Sequence, residues 1–491
     1  MLGTAFLLLN GLLILLLLFT FRTRKKNEPP LDLGFIPWLG HALEMRNDVT
    51  KFLARMKDKH GDIFTVRVAG LYVTVLLDPH SFDDVLNDNT NSFDSTHIRG
   101  QLLKQIFNLQ LPGNYPTSER KWMEPHFQGL NLDRLKTSMN IHLTNVMLKS
   151  FESCSPSEWR EEGLFELCYS FLFRAGYLTL FEMKDDVAAI YEEFRKFDNL
   201  LPKLARSSLK QEEKKMVATS QERLLELLSP KCLNGESEAN SWQQSYVQFL
   251  QQQGIDVDMQ KKAHLLQLWT TQCNAGPAAF WLLSFLLTHP EAMEAVKSEI
   301  RDLLSLQDTS LQRHHLNWVE GASTPVFDSI LNETLRLTTS VSIRREVVQD
   351  KILRMANGKE YRLRRGDRVL LFPFLSPQMD PEIYEEPEMF KHDRFLNKDK
   401  TVKKEFFKDG KQLKDYILPW GAGKSICVGR KFAVTTIKQF VFLLLTHFDL
   451  ELCNPDTKVP PFNQSRFGFG MLQPDGDLQV RFRLKRTQPE I

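Results

Sequence analysis

The chain has 491 residues, room for two or three ordinary domains, and ample apolar and aromatic side chains for a large core. Lys and Arg number 63 against 61 Asp and Glu, a balance that excludes the strongly basic nucleic-acid binders. Six cysteines, at 154, 168, 232, 273, 427 and 453, make no regular framework and no C-x-x-C pair, so they read as reduced thiols in a cytosol-facing protein.

From Ala5 to Phe21 the chain is almost wholly apolar, broken only by Asn10 and Gly11, and Arg22, Arg24, Lys25 and Lys26 follow. That length just spans a bilayer as a helix. Charge after the apolar run, with no small-residue cleavage pattern, reverses the order of a cleaved secretory signal. Residues 1–21 therefore read as a single-pass signal anchor that leaves the bulk of the protein in the cytoplasm. Residues 22–34 read as a basic linker stiffened by Pro29 and Pro30, and the main body is expected over 35–491.

Residues 63 to 77 alternate and predict a hairpin closed near Gly70. From about 135 to 305 most segments have helical period. Lys261 to Thr288 reads as one long helix, apolar all round in its second half and containing Pro277. After Glu333 short strands take over, with a C-terminal hairpin expected at Pro474-Asp-Gly-Asp477. The fold class is mainly α with smaller β-sheets (α+β).

Three motifs carry chemistry. Glu333 and Arg336 lie three residues apart on one helical face, the spacing of an ordinary surface ion pair. His392, Asp393, Arg394 and Phe395 form an arginine-bearing turn. Trp420 to Gly429 is a glycine-rich loop with one cysteine, Cys427, and it runs into a helix whose apolar positions are Ile437, Phe440, Val441, Leu444 and Leu445. A helix start stabilises a thiolate, and the glycines let a large flat group lie against the backbone. A buried inert thiol is the other reading of that loop.

In this order and spacing the chain resembles a cytochrome P-450, a haem-thiolate family, over essentially its whole length. The resemblance implies that fold, with one catalytic domain behind the anchor, and haem b (iron protoporphyrin IX) with Cys427 as its axial thiolate. It also implies that Glu333, Arg336 and Arg394 form a buried network holding the cysteine loop, which serves register more than net stability. The family usually has arginine two residues before the cysteine, where this chain has Ser425. Other cations must then face the haem propionates: Arg345 is the first candidate, and Trp122 with His126, where the family usually has arginine, is the second.

Oxygen-activating members carry an acid and a threonine in the middle of the long helix, because splitting bound dioxygen needs protons. This chain reads Ala275-Gly-Pro-Ala-Ala279. Either water replaces the relay, or no dioxygen is activated because the substrate brings its own oxygen–oxygen bond, which a thiolate-ligated iron is suited to break. Asn274 could then contact a substrate oxygen, with Ala275, Ala278, Ala279 and Phe467 lining the pocket. Four phrases are similar to those of an endoperoxide-isomerising branch of the family: Arg174-Ala-Gly-Tyr-Leu-Thr-Leu180, Leu201-Pro-Lys-Leu-Ala-Arg206, Gly276-Pro-Ala-Ala-Phe-Trp281 and Arg466-Phe-Gly-Phe-Gly470.

That resemblance implies a monomeric isomerase of the endoplasmic reticulum membrane acting on a lipid-derived prostaglandin endoperoxide. It would work by homolytic peroxide cleavage and radical cyclisation, with no NADPH, no obligatory reductase and no nucleic acid. A sister branch, the NADPH-dependent sterol 12-alpha-hydroxylases, is the nearest rival; the lysine run from Lys398 to Lys414 could dock its acidic reductase, or simply be a solvated loop. A haem sensor or carrier without turnover is a third reading, against which the apolar residues near Phe280 and Phe467 suggest a roomy pocket.

Overall fold

The alternation around Gly70 folds as expected: Ile63–Val68 and Leu71–Leu76 pair antiparallel, with Ile63 opposite Leu76. Ala69 and Gly70 at the tip have φ of 49° and 80°, the left-handed pair whose twist matches that of the strands. The chain is seen in a computed structural model that describes residue 11 and residues 22–150, 158–182, 186–228, 242–305 and 322–485. The expected anchor, apart from Gly11, lies outside the described residues, as do Cys154 and Cys232.

The chain forms two units, each described by itself. The first comprises Met1–Ile98, Ser340–Pro387 and Glu405–Ile426. Its sheet has the strand order Leu31–Asp32, Ile63–Val68, Leu71–Leu76, Arg368–Leu371, Ile343–Val347 and Phe93–Asp94, with the first pair and the third-to-fourth pair parallel and the rest antiparallel. Below it Ile63, Leu76, Ile343, Val347, Val369 and Leu371 form an apolar core that also takes in Leu418 and Ala422. Burying Leu418 contributes roughly 1.5–3 kcal/mol and pins the start of the cysteine loop to the sheet.

Residues 22–34, expected as a linker, are built into this unit. Leu31–Asp32 adds a parallel strand. Arg22 Nη1 donates to both Asp367 carboxylate oxygens at 2.6 Å, and Arg364 pairs with Glu28 at 2.5 and 2.7 Å. Arg22 and Glu28 are thus held by partners far along the chain, while Arg24, Lys25 and Lys26 stay exposed.

The second unit comprises Arg99–Thr339, Glu388–Lys404 and Cys427–Ile491, and it is mainly helical. Leu164–Phe181 is long and apolar enough to cross a membrane, yet 78% of it is buried within the protein, as befits a helix apolar on all sides. It packs on Gly129–Lys149 and Ala275–Thr288, and Arg430–His447 packs on the same two helices. The five apolar positions read from the sequence of Arg430–His447 are all buried. A three-stranded sheet of Phe448–Leu452, Gln479–Leu484 and Arg160–Gly163 closes one side.

Two expectations change. The last strand, Gln479–Leu484, pairs with Phe448–Leu452 and Arg160–Gly163 and not across the Pro474–Asp477 turn as a hairpin, because five ladder pairs with Phe448–Leu452 bury Val480 and Phe482. The long helix is also two helices, Val257–Gln272 and Ala275–Thr288, parted at Cys273 and Asn274.

Pro277 explains the break. It has no N–H for the Cys273 carbonyl four residues back, and the Tyr169 hydroxyl donates to that carbonyl instead, at 3.4 Å. Tyr169 can approach because residue 276 is glycine: an added Cβ would lie 2.7 Å from its Cδ2 and 2.8 Å from its Cα. Gly276→Ala is therefore expected to cost about 1–3 kcal/mol through overpacking, read as a lower urea midpoint; an unchanged midpoint would show that the two helices part without strain.

Candidate active site

Cys427 lies two residues before Gly429, the cap of helix Arg430–His447, so the helix-start position read from the sequence holds. It is exposed, whereas Cys168 and Cys273 are buried and Cys453 is intermediate. Protein around the sulfur raises its pKa by loss of hydration; the Gly429 N–H, Arg120 and Arg430 pull the other way. Burial pushes the Cys273 and Cys168 thiols well up, and both stay protonated although Arg466 pulls Cys273 the other way. Cys427 is thus the described cysteine with both access and donors that favour a thiolate.

The backbone before it is shaped by glycine. Gly421 and Gly423 have φ of 72° and 57°, and a Cβ on Gly423 would meet the Leu86 carbonyl oxygen at 2.9 Å. At Gly429 an added Cβ would meet the Phe127 ring at an ordinary contact distance of 3.8 Å. Positive φ and close backbone neighbours are what call for glycine at 421 and 423.

The structure brings Glu333, Arg336 and Arg394 together. Arg336 Nε and Nη2 donate to the two oxygens of Glu333 at 2.7 and 2.8 Å, and Arg394 Nε donates to Oε1 at 2.9 Å. The Lys391 N–H adds a fourth donor at 3.1 Å, and Arg394 Nη2 donates to the Met389 carbonyl. The Glu333 and Arg336 side chains are fully buried. This is far from the solvated ion pair that the spacing alone allows, and the chain turn carrying Arg394 is tied to the Pro325–Thr338 helix by it.

The candidate propionate partners are placed differently from one another. Arg345 Nη2 donates to Ser425 Oγ at 3.2 Å, so a guanidinium reaches the very position where arginine is missing. Burial lowers its pKa and Asp94 opposes the shift, but a guanidinium keeps its proton. Trp122 Nε1 donates to Ser245 Oγ at 2.8 Å, and that hydroxyl lies 3.2 Å from His126 Nε2. Burial lowers the His126 pKa, so the ring is neutral near pH 7 and brings no charge to an anion. Ser245, on helix Trp242–Gln252, had no sequence signal, since a serine among glutamines looks like any exposed position.

Asn274 is already engaged. Its Oδ1 accepts from the Met471 N–H at 3.1 Å, and its Nδ2 donates to Cys273 Sγ at 3.1 Å. Ala275 is partly exposed, while Ala278, Ala279 and Phe467 are buried. Along the two helices, Thr270, Thr271 and Ser284 each spend their hydroxyl on a carbonyl of their own helix. Of the lysine run, Lys408 is buried against Asp380 at 2.5 Å and Lys414 pairs with Asp83 at 3.2 Å, which removes two of its charges from any docking surface.

The cytochrome P450 family model matches residues 29–480. A rat protein named prostacyclin synthase is 50% identical over 481 residues, covering 94% of this chain and 95% of that protein. A pig 5-beta-cholestane-3-alpha,7-alpha-diol 12-alpha-hydroxylase is 41% identical over 494 residues, covering 98% and 97%. Among solved structures, retinoic acid bound cyanobacterial CYP120A1 superposes with a TM-score of 0.72 at 21% identity, covering 94% of this chain and all of that one, which bears on the fold. With its exposed cysteine just ahead of a helix and its buried Glu-Arg-Arg network, the chain belongs to the cytochrome P450 family.

Proposed function

We propose that this chain is an isomerase that converts prostaglandin endoperoxide to prostacyclin, in the endoplasmic reticulum membrane and without NADPH or a reductase. The observation that carries the reading is the helix opening Ala275-Gly-Pro-Ala-Ala279, apolar and largely buried, in a chain half identical to proteins named prostacyclin synthase.

The family implies a thiolate-ligated haem, and the residues fit one. Cys427 would hold the iron, and Arg345 at Ser425 would supply the cation for a propionate. Trp122 and His126 would border the same group as neutral neighbours. When bound, the haem, taken as haem b, would supply an electron-rich iron at which a peroxide bond can be broken homolytically, so that the freed oxygen radical can close a ring on a carbon–carbon double bond and the carbon radical left by that closure can give up one electron to the haem and one proton.

The chain's own residues do the rest. The helix opening offers no side-chain acid or alcohol at positions 277 to 279, and the neighbouring hydroxyls are committed to carbonyls, so it holds no relay for protons that dioxygen cleavage would need. A substrate with its own oxygen–oxygen bond requires none. Asn274, held by Met471, presents a fixed amide at the helix break near which a substrate oxygen would be seated. Apolar Ala275 and Phe467 would exclude water from a radical intermediate, preserving it for ring closure.

Purified holoenzyme in lipid is expected to turn over prostaglandin endoperoxide with neither NADPH nor reductase present. Inactivity under those conditions, together with NADPH-dependent hydroxylation of a sterol, would give the function to the 12-alpha-hydroxylase branch.

A further inference from the structure

Two phrases far apart in the sequence, ending at Arg206 and starting at Arg466, meet in the fold. The turn Arg466 to Met471 is tight, with φ of 91° at Gly468 and 95° at Gly470, and it is gripped by helix Val187–Ala205 at two places. Beyond the end of that helix, Arg206 Nη1 donates to the Ser465 carbonyl at 2.7 Å, Nη2 donates to the Phe467 carbonyl at 3.3 Å, and the guanidinium lies 5.4 Å from the Phe469 ring centre.

Two turns back along the helix, Asp198 is completely buried. Its carboxylate accepts from Arg466 Nη1 and Nη2 at 3.0 and 3.1 Å, from Gln473 Nε2 at 2.9 Å and from Trp269 Nε1 at 3.2 Å, and its backbone carbonyl accepts from Arg466 Nη2 at 2.6 Å. Arg195 at 3.3 Å and the Tyr169 hydroxyl at 3.5 Å complete its surroundings. Burial alone would raise its pKa; Arg466 and Arg195 more than offset this and keep it ionised.

The far side of the turn faces the helix break. The Met471 N–H donates to Asn274 Oδ1, and a Cβ on Gly470 would come within 2.8 Å of the same oxygen. The chain of contacts thus runs from an exposed arginine and a buried aspartate, through a glycine turn, to the Asn274 amide at the helix break.

We propose that Asp198 and Arg206 are positioning residues that clamp the Arg466–Met471 turn and through it fix Asn274, so that the helix Val187–Ala205 decides how a bound oxidised lipid lies and which products form. The proposal rests on the isomerase reading for its substrate, but not for the clamp itself. A turn with two glycines at positive φ samples many conformations when released, so two anchors at separate points are what a fixed wall requires.

The test uses holoenzyme carrying Arg206→Gln, an exposed site where folding is not at stake, with Asp198→Asn as the stronger variant and Arg206→Lys as a partial rescue. Losing charge-assisted hydrogen bonds to the turn is expected to speed amide exchange at Phe469 and Met471 about tenfold. With prostaglandin endoperoxide as the probe, KM is expected to rise several-fold and products to shift from the cyclised ether towards uncyclised fragments, with the thiolate-type spectrum retained. Unchanged exchange in both variants overturns the clamp. Faster exchange with unchanged KM and product ratio overturns the positioning role. If wild-type enzyme does not turn over the endoperoxide at all, the isomerase reading fails and, with it, the positioning of that substrate, while exchange still decides the clamp.

Discussion

Cys427→Ala protein is expected to lose the thiolate-type absorption spectrum completely and to convert no endoperoxide above background. Among the described cysteines Cys427 is the exposed one, and it sits where the Gly429 N–H and two arginines favour negative charge on sulfur. Cys273 cannot take over, because burial keeps its thiol protonated and its sulfur already accepts from Asn274. The substitution removes one exposed side chain and leaves the helix Arg430–His447 to pack as before, so the folded fraction should change little. Absorption spectra of the reduced, carbon-monoxide-treated protein and a circular dichroism melt check both halves. A retained thiolate spectrum would mean that a different sulfur holds the iron.

Glu333→Gln is expected to cost about 3–5 kcal/mol, the range for breaking one partner of a buried charge network. Arg336 and Arg394 both depend on this carboxylate, and the Arg336 side chain has no exposed surface. Glutamine keeps the shape but offers one acceptor oxygen where four donors converge, and it removes the carboxylate charge that faces two guanidinium groups. Poor yield and weak haem retention should accompany the fall, because the turn bearing Arg394 is tied down through Glu333. Urea unfolding of the purified variant measures the loss; a change below about 1 kcal/mol would place the network among weakly contributing ion pairs. Replacing all three residues with apolar ones of similar volume should cost less than the single change, because no charge is then left buried.

The lysine run shows how a compositional signal can mislead. Seven lysines from Lys398 to Lys414 look like one basic surface in the sequence, yet Lys408 is spent on buried Asp380 and Lys414 on Asp83. Linear charge density does not reveal which charges face a carboxylate brought in from another part of the chain. The same holds for Arg22 and Glu28, whose partners Asp367 and Arg364 lie more than three hundred positions away.

Much about this protein was decided by order and spacing alone. The glycine-rich cysteine loop, the E-x-x-R pair and the missing acid and alcohol at 277 to 279 are local patterns, and local patterns survive in one dimension because turn geometry and helical period are properties of neighbouring residues. The hairpin at Gly70 and the apolar face of Arg430–His447 are legible for the same reason. Tertiary structure alone decided which donors met which acceptors. It buried the Glu333 network, set Arg345 on Ser425, gave the Trp122 and His126 partner to Ser245, and turned Asn274 towards the Met471 backbone. It also parted the long helix at Asn274, since the cost of Pro277 could be met only by a tyrosine hydroxyl from another helix. Side-chain hydrogen bonds across long sequence separations depend on three-dimensional position, and no periodicity in the chain encodes them.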